Sequence, residues 1–467
     1  MSILFSQELP IYTALVLLVP LYYLYSRVRC RSGNPALVLP TNWPILHMFP
    51  SFLANIHNLH NYLTLVLAGS GHNFRAHGPP GTGLRFFVTC DPTNVRHIFT
   101  TNYTNFPKGA EFADIFDIVG GSLLTIDGEP SREQRAKVKG ALSNPWMAAT
   151  MASCCCDKDR LHMDAAVALD TFMEVGFSLL MTPSSYWKLM RWLNIGPERK
   201  LKVARTVLRE FAAEMMERRK MNTCFVGNED EQEDGDILSC FLNDPDYADD
   251  DLLRAMIIGY MFAARDTVGT TLTWIFYKLA QNPNIVSNIR KELSPIASRK
   301  AAVGVDAMLI FEPKETRSLV YLKAVLYETL RLYPAAPLEC KTVVADDIMP
   351  SGHEVHAGDT IIISIHSMGR MEGVWGEDCL HYKPDRWLSV GGNNMRYVPS
   401  HKFLAFNSGP RMCLGKDIAI MQMKTVIAST LWNFDVEVMD GQTIQPKQAC
   451  IQQMKNGLIV KLKKREM

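Results

Sequence analysis

Several things are scarce in this 467-residue sequence, and each scarcity removes a class of protein. Cysteines number eleven, far below the density of a disulfide scaffold, and no two stand in the Cys-x-x-Cys spacing of a zinc site. That usage belongs to a reducing compartment. Cys154, Cys155 and Cys156 are consecutive, which suits packing better than metal binding, because adjacent side chains diverge on any regular backbone. An excess of one charge is missing too. Lysine and arginine total 49 against 48 aspartates and glutamates, so no nucleic acid or other polyanion is expected as a partner. No glycine-rich fingerprint for a flavin or nicotinamide nucleotide occurs. His57 and His60 lie three apart with no third ligand near, which reads as ordinary surface or core histidine.

Long apolar runs are scarce apart from one. Leu9 to Tyr25 is apolar and is followed by Arg27, Arg29 and Arg31. The charge comes after the run and no small-residue cleavage site appears, so residues 1–30 read as a retained transmembrane anchor rather than a signal peptide. The arginines place the rest of the chain on the cytosolic side. Pro35, Pro40, Pro44 and Pro50 make residues 31–50 a stiff linker. Residues 51–467 are then left for one catalytic domain. Within them a helix is expected near Ile56–Leu67, a strand at Leu84–Cys90, and paired strands with glycine turns over residues 350–370.

The most informative stretch is residues 403–433, organised around Cys413. Leu414, Ile418, Met421, Ala428 and Leu431 fall at helical spacings, so an amphipathic helix is expected to begin just after the cysteine. A helix start favours a thiolate over a thiol, as a metal ligand requires. Gly409 and Gly415 remove side chains where backbone must approach closely, Arg411 is a fixed cation, and Phe406 can cover the sulfur. The pattern describes a shielded thiolate beside an anion site.

A second stretch is residues 249–280, free of proline and largely apolar all round, which predicts a long helix buried through the domain. At its centre Asp266 and Thr267 stand side by side in FAARDT. An acid and an alcohol in a buried helix are costly unless they hold water or do chemistry. A threonine bonded to its own backbone, and an aspartate paired with Arg265, are the plainer alternatives.

The set Phe406, Gly409, Arg411, Cys413 and Gly415 resembles the haem-binding loop of the cytochrome P450 family, and five fixed positions recur by chance at roughly one site in a million. Other motifs appear in family order. AARDT resembles the oxygen-activation motif, with Ala264 where glycine is usual. Glu328 and Arg331 in YETLRL, with Arg386 in YKPDRW, resemble the buried structural triad of the family; Glu129 and Arg132 form a second Glu-x-x-Arg, read as accidental. DGEPSREQRAKVK, residues 127–139, resembles the helix whose arginine pairs with a haem propionate, here Arg135, and Ser131 stands where the family has tryptophan.

The resemblance implies a mainly α fold with a small β-sheet region, a helical prism whose long central helix lies over the haem, behind the N-terminal anchor. It implies haem b with Cys413 as its axial thiolate, and Arg411, Arg135, Phe406, Gly409 and Gly415 as cofactor-binding residues. Asp266 and Thr267 would relay the protons that oxygen cleavage consumes, and residues 335–338 would face the substrate. Electrons would come from an NADPH-dependent cytochrome P450 reductase, docked by Arg132, Lys137, Lys139 and Lys416, at the endoplasmic reticulum membrane with the catalytic domain cytosolic.

Within the family the motifs look most like the plant branch that hydroxylates alkanes and fatty acids, which implies a small lipophilic substrate. Oxidation or phenol coupling of a plant specialised metabolite is the alternative. A third reading comes from a departure: only about fifty residues separate Arg135 from Tyr186, where the family places several helices. Residues 141–185 look shortened, with little pattern from Met151 to Asp170. That third reading is a haem-binding protein without turnover.

Overall fold

The computed structural model describes residues 39–43, 46–142, 160–225, 241, 244, 247, 249–301 and 308–465. The expected anchor and most of the proline-rich linker lie outside the described residues, as do Cys154, Cys155 and Cys156. Among the described residues no helix is long and apolar enough to cross a membrane. The chain divides into two compact units, one of residues up to Phe106 with Leu338–Cys379, the other of Pro107–Pro337 with Leu380 onward.

The first unit is built on a four-stranded sheet in the order β1 (Asn73–His77), β2 (Arg85–Thr89), β6 (Thr360–Ser364), β3 (Leu338–Thr342). β2 and β6 run parallel, with Phe87 opposite Ile361 and Val88 opposite Ile362, while the outer pairs are antiparallel. The β-branched run at residues 361–363 suits a strand with neighbours on both sides and both faces covered, and all three isoleucines are buried. The expected pairing within residues 350–370 is corrected. β5 (Glu354–Val355) pairs with β4 (Asp347–Ile348), whereas β6 joins the larger sheet. The strand pattern also stops early, because the Ser364 hydroxyl accepts from the Ser367 N–H and caps a helical turn at Ile365–Met368. The Leu59–Gly69 helix buries His60, while His57 is exposed.

The second unit is mostly helical. The helix expected after Asp127 spans Gly128–Leu142. The expected lack of pattern before Asp170 is corrected: Arg160–Leu180 is one helix, burying Ala165, Ala168, Leu169 and Phe172 at spacings of three and four. It packs along the Gly196–Phe225 helix, and Trp187 from the intervening Ser184–Leu193 helix is fully buried in the same core. A small hairpin, β7 (Phe434–Val438) with β8 (Val460–Lys464), comes after the last helix.

The long helix of residues 249–280 is present but not regular. Asp249 caps its start by accepting from the Asp251 N–H. It runs as α-helix over Asp250–Met261, widens to a π turn over Phe262–Asp266, and resumes over Thr267–Ala280.

Candidate active site

The loop of Cys413 is two short 3-10 turns, Leu404–Phe406 and Gly409–Arg411, followed by the Lys416–Asn433 helix. Gly409 has φ of 60°, a left-handed conformation that costs a glycine nothing. The turn brings the Cys413 N–H onto the Phe406 carbonyl at 2.8 Å. Phe406 therefore holds the cysteine through its backbone, while its half-buried ring lies near Tyr327 and Lys416.

Cys413 is exposed by surface area, unlike Cys90 and Cys379. Protein atoms still crowd the sulfur, and burial is the largest influence on it, pushing the thiol pKa up. A backbone hydrogen bond from Gly415 and the charges of Arg135 and Lys416 act in the opposite direction without reversing it. The helix begins three residues later, at Lys416, so the expected help of a helix start to the thiolate is outweighed by burial.

Arg411 is held by three acceptors. Its Nη1 donates to the Ser131 hydroxyl at 2.9 Å, and its Nη2 donates to the Ile126 carbonyl at 2.7 Å and to the Asp127 carboxylate. Arg135, on the same helix as Ser131, donates to the Met412 carbonyl. Burial and the neighbouring Arg411 both lower its pKa, so the two guanidinium groups share one electropositive place. Lys137 is committed elsewhere, to Asp244 at 2.7 Å and over the Tyr247 ring.

In the central helix, Thr267 donates to the Ala263 carbonyl at 2.6 Å, and Asp266 pairs with Arg265 at 2.6 Å. Both plainer alternatives for these residues are therefore present as bonds. They leave Asp266 unusual nonetheless. It is buried, one of its carboxylate oxygens has no partner, and its pKa is pushed up to about 6, chiefly by burial and against the pull of Arg265. A π turn frees a backbone carbonyl from the helical ladder, and such turns cluster at functional sites. Ala263 is exposed on this turn, next to buried Phe262.

The two stretches share a core. Ile275 and Leu279 from the helix after Thr267 pack with Ile420, Met423, Ile427 and Leu431 from the helix after Cys413, and Val268 and Phe406 flank the same cluster. The buried face of the latter helix is not the expected one. Ala428 and Leu431 are buried, but Ile418 and Met421 are only half-buried, because a helix apolar on several sides does not fix its own phase.

Glu328 and Arg331 form a wholly buried pair at 2.7 Å. Glu328 also accepts from Arg386 at 3.1 Å, the Trp387 indole at 2.9 Å and the Lys383 N–H at 2.8 Å. Every lone pair of the carboxylate is used, which is what makes a buried charge tolerable. Glu129 and Arg132 make the same i, i+3 contact at 2.9 Å, yet both are exposed, as expected of an accidental copy. Ala335 is buried, and its carbonyl accepts from the Gln452 N–H at 2.8 Å.

A cofactor class that asks for one thiolate and a pair of arginines is haem, bound through sulfur and through its propionates. The residues present fit it. Gly415 directs an N–H at the sulfur, a Cβ added there would meet no protein atom within 4 Å, and the Nε–H of Arg411 has no acceptor among the described residues. Among those residues no cluster of histidine, cysteine and carboxylate competes as a metal site.

The Cytochrome P450 family model matches residues 76–462, and the chain belongs to that family. It is accordingly an oxidoreductase, a monooxygenase whose cofactor is haem b on a cysteine thiolate. It is similar to noroxomaritidine synthase 1 of Narcissus pseudonarcissus, 31% identical over 98% of this chain and 97% of the relative. Alkane hydroxylase MAH1 of Arabidopsis thaliana is 32% identical over 97% and 98%, and cytochrome P450 86B1 of the same plant is 32% identical over 90% and 85%. The first of these alignments is 504 positions long although it uses 98% of a 467-residue chain, so that relative carries stretches this chain lacks.

Asp127 was not singled out in the sequence, and Ser131 only as the residue standing where the family has tryptophan. No local signal marks a bond between residues so far apart in the chain. Asp170, whose charge adds to the rise of the Asp266 pKa, was hidden for a different reason, since its helix shows little periodic contrast in the sequence.

Proposed function

We propose that this protein is a haem-thiolate monooxygenase that hydroxylates a C–H bond of a long-chain aliphatic substrate, an alkane or a fatty acid. The observation that carries the reading is the Cys413 loop: a sulfur with the Gly415 N–H upon it and Arg135 beside it, next to Arg411. When bound, haem would supply oxygen activation and insertion, and a cysteine thiolate would favour O–O cleavage. Cys413 would ligate the iron, Arg135 and Arg411 would hold the propionates, and Phe406, Gly409 and Gly415 would shape the loop.

Asp266 is the proton-holding group. A carboxyl with a pKa near 6 can both carry and release a proton at cellular pH. Thr267 donates to the Ala263 carbonyl within the π turn and keeps its hydroxyl there. The lipophilic substrate is supported by the aromatic column Phe112, Phe116, Phe172 and Phe262, whose ring centroids are 4.5, 5.6 and 5.2 Å apart in succession. It is supported also by the similarity to an alkane hydroxylase.

Residues 1–30 anchor the chain in the endoplasmic reticulum membrane through the linker 31–50, and residues 51–467 form the cytosolic catalytic domain. An NADPH-dependent cytochrome P450 reductase supplies electrons. Arg132, Lys137, Lys139 and Lys416 are the cations that would dock it, Arg132 and Lys137 being paired in this chain with Glu129 and Asp244. A second reading is favoured by one observation: a relative named noroxomaritidine synthase stands at similar identity. Oxidation or phenol coupling of a plant specialised metabolite is therefore tested beside hydroxylation. The shortened interval supports the third reading, haem binding without turnover.

The experiment is a reduced carbon-monoxide difference spectrum, followed by NADPH-driven turnover with reductase on alkane, fatty-acid and phenolic panels. The expected result is a thiolate-type band that Cys413→Ser removes, and product from an aliphatic chain. Product from phenols alone selects the second reading, a band with no product the third. An unchanged Soret band in Cys413→Ser refutes all three.

A further inference from the structure

Arg411 faces a problem the usual pattern does not pose. A half-buried arginine needs acceptors for its donors and an anion for its charge. The family pattern supplies an indole at the position of Ser131, and this chain has a hydroxyl too short to do that work itself. What Ser131 does instead is visible in its own contacts. It is buried, and its oxygen accepts from Arg411 Nη1 at 2.9 Å across 280 residues of chain.

Asp127 completes the arrangement. Its carboxylate accepts from Arg411, and is itself fastened by the Lys108 N–H at 3.1 Å and the Gly109 N–H at 3.4 Å. The carboxylate is thus fixed independently of the arginine it receives. The Ile126 carbonyl takes the remaining Nη2 proton at 2.7 Å. Three acceptors hold the Nη1 and Nη2 ends of the guanidinium and settle its plane, leaving the Nε–H for an outside anion.

We propose that Ser131 and Asp127 are positioning residues for Arg411, together replacing the absent aromatic donor by orienting the arginine that binds a haem propionate. This rests on the haem-thiolate reading, and it concerns how this chain retains its cofactor despite lacking the indole. Neither residue touches the reacting atoms; both act through Arg411.

The test measures haem transfer from the purified holoprotein to excess apomyoglobin, followed by Soret absorbance. Ser131→Ala and Asp127→Asn are expected to release haem about tenfold faster, as for the loss of one charge-assisted hydrogen bond. Ser131→Thr, which restores the hydroxyl, should stay within about twofold of wild type, a rescue that packing alone does not produce. Ser131→Trp is expected to release haem faster as well, because the indole displaces Arg411 from its acceptors. Wild-type rates in Ser131→Ala and Asp127→Asn, a threonine variant as fast as the alanine one, or tighter haem in Ser131→Trp would each overturn the inference. A wild-type protein with no Soret band would refute the functional reading and this inference with it, whereas a normal band with unchanged variant rates refutes this inference alone.

Discussion

Replacing Asp266 with asparagine should make the protein more stable and a poorer enzyme. Burial raises the Asp266 pKa from 3.8 to about 6, so the folded chain binds this proton more tightly than the unfolded one. Between those two values stability falls as pH rises, and above pH 6 the whole cost of burying the ionised group is present. A gap of about two pH units corresponds to on the order of 3 kcal/mol. Asparagine cannot ionise, and its amide oxygen can still accept from Arg265. The variant should therefore exceed the parent in stability by up to about 3 kcal/mol at pH 8 and by roughly half of that at pH 5. Urea denaturation followed by tryptophan fluorescence at the two pH values reads the difference. In the same preparation haem content should be unchanged, while product formed per NADPH falls and peroxide rises. A variant less stable than the parent at pH 8, or a stability difference that ignores pH, would refute the argument that Asp266 is held in the fold at electrostatic cost for the sake of proton delivery.

Thr267→Ala removes the 2.6 Å bond to the Ala263 carbonyl, and should divert electrons to peroxide with a stability change of about 1 kcal/mol, read by coupled oxygen and NADPH consumption. Glu328→Gln breaks a wholly buried pair while leaving Arg331 in place, and should destabilise by about 3–5 kcal/mol, seen as loss of folded protein in expression and a lowered denaturation midpoint. Glu129→Gln, at the exposed copy of the same motif, should change stability by less than about 0.5 kcal/mol in the same assay. Gly176→Ala would bring a Cβ within 3.1 Å of the Phe116 ring and should destabilise by about 1–3 kcal/mol, read as a lowered denaturation midpoint.

How much of this was legible in the sequence depends on whether the determinant was local. The Cys413 loop was, since glycine at 409 and the cysteine before a helix are written side by side. So was the Glu328 network, although Trp387 and the Lys383 N–H as further partners were not. The π turn was invisible, because FAARDT carries no residue that forbids an ordinary helix and the widening is made by a backbone bond and packing. The Arg160–Leu180 helix was missed because its buried face is made partly of alanines, which give little contrast against their polar neighbours. Arg411 was recognised as a cation, but its clamp of Ser131, Asp127 and Ile126 required the fold. The phase of the last helix failed for a similar reason: Ile418 and Ile420 are equally apolar, and only tertiary packing chose between them.

The parallel pairing of β2 with β6 places Phe86 opposite Thr360, with most of the helical unit encoded between them. On a ribosome that adds about 5–20 residues per second, β2 waits some tens of seconds for its neighbour. Until then it has only the β1 hairpin, which is marginal by itself in water. The nascent chain thus spends that time with an unpaired strand edge bearing Phe87 and Val88, a target for aggregation that a chaperone must shield before the last third of the polypeptide emerges.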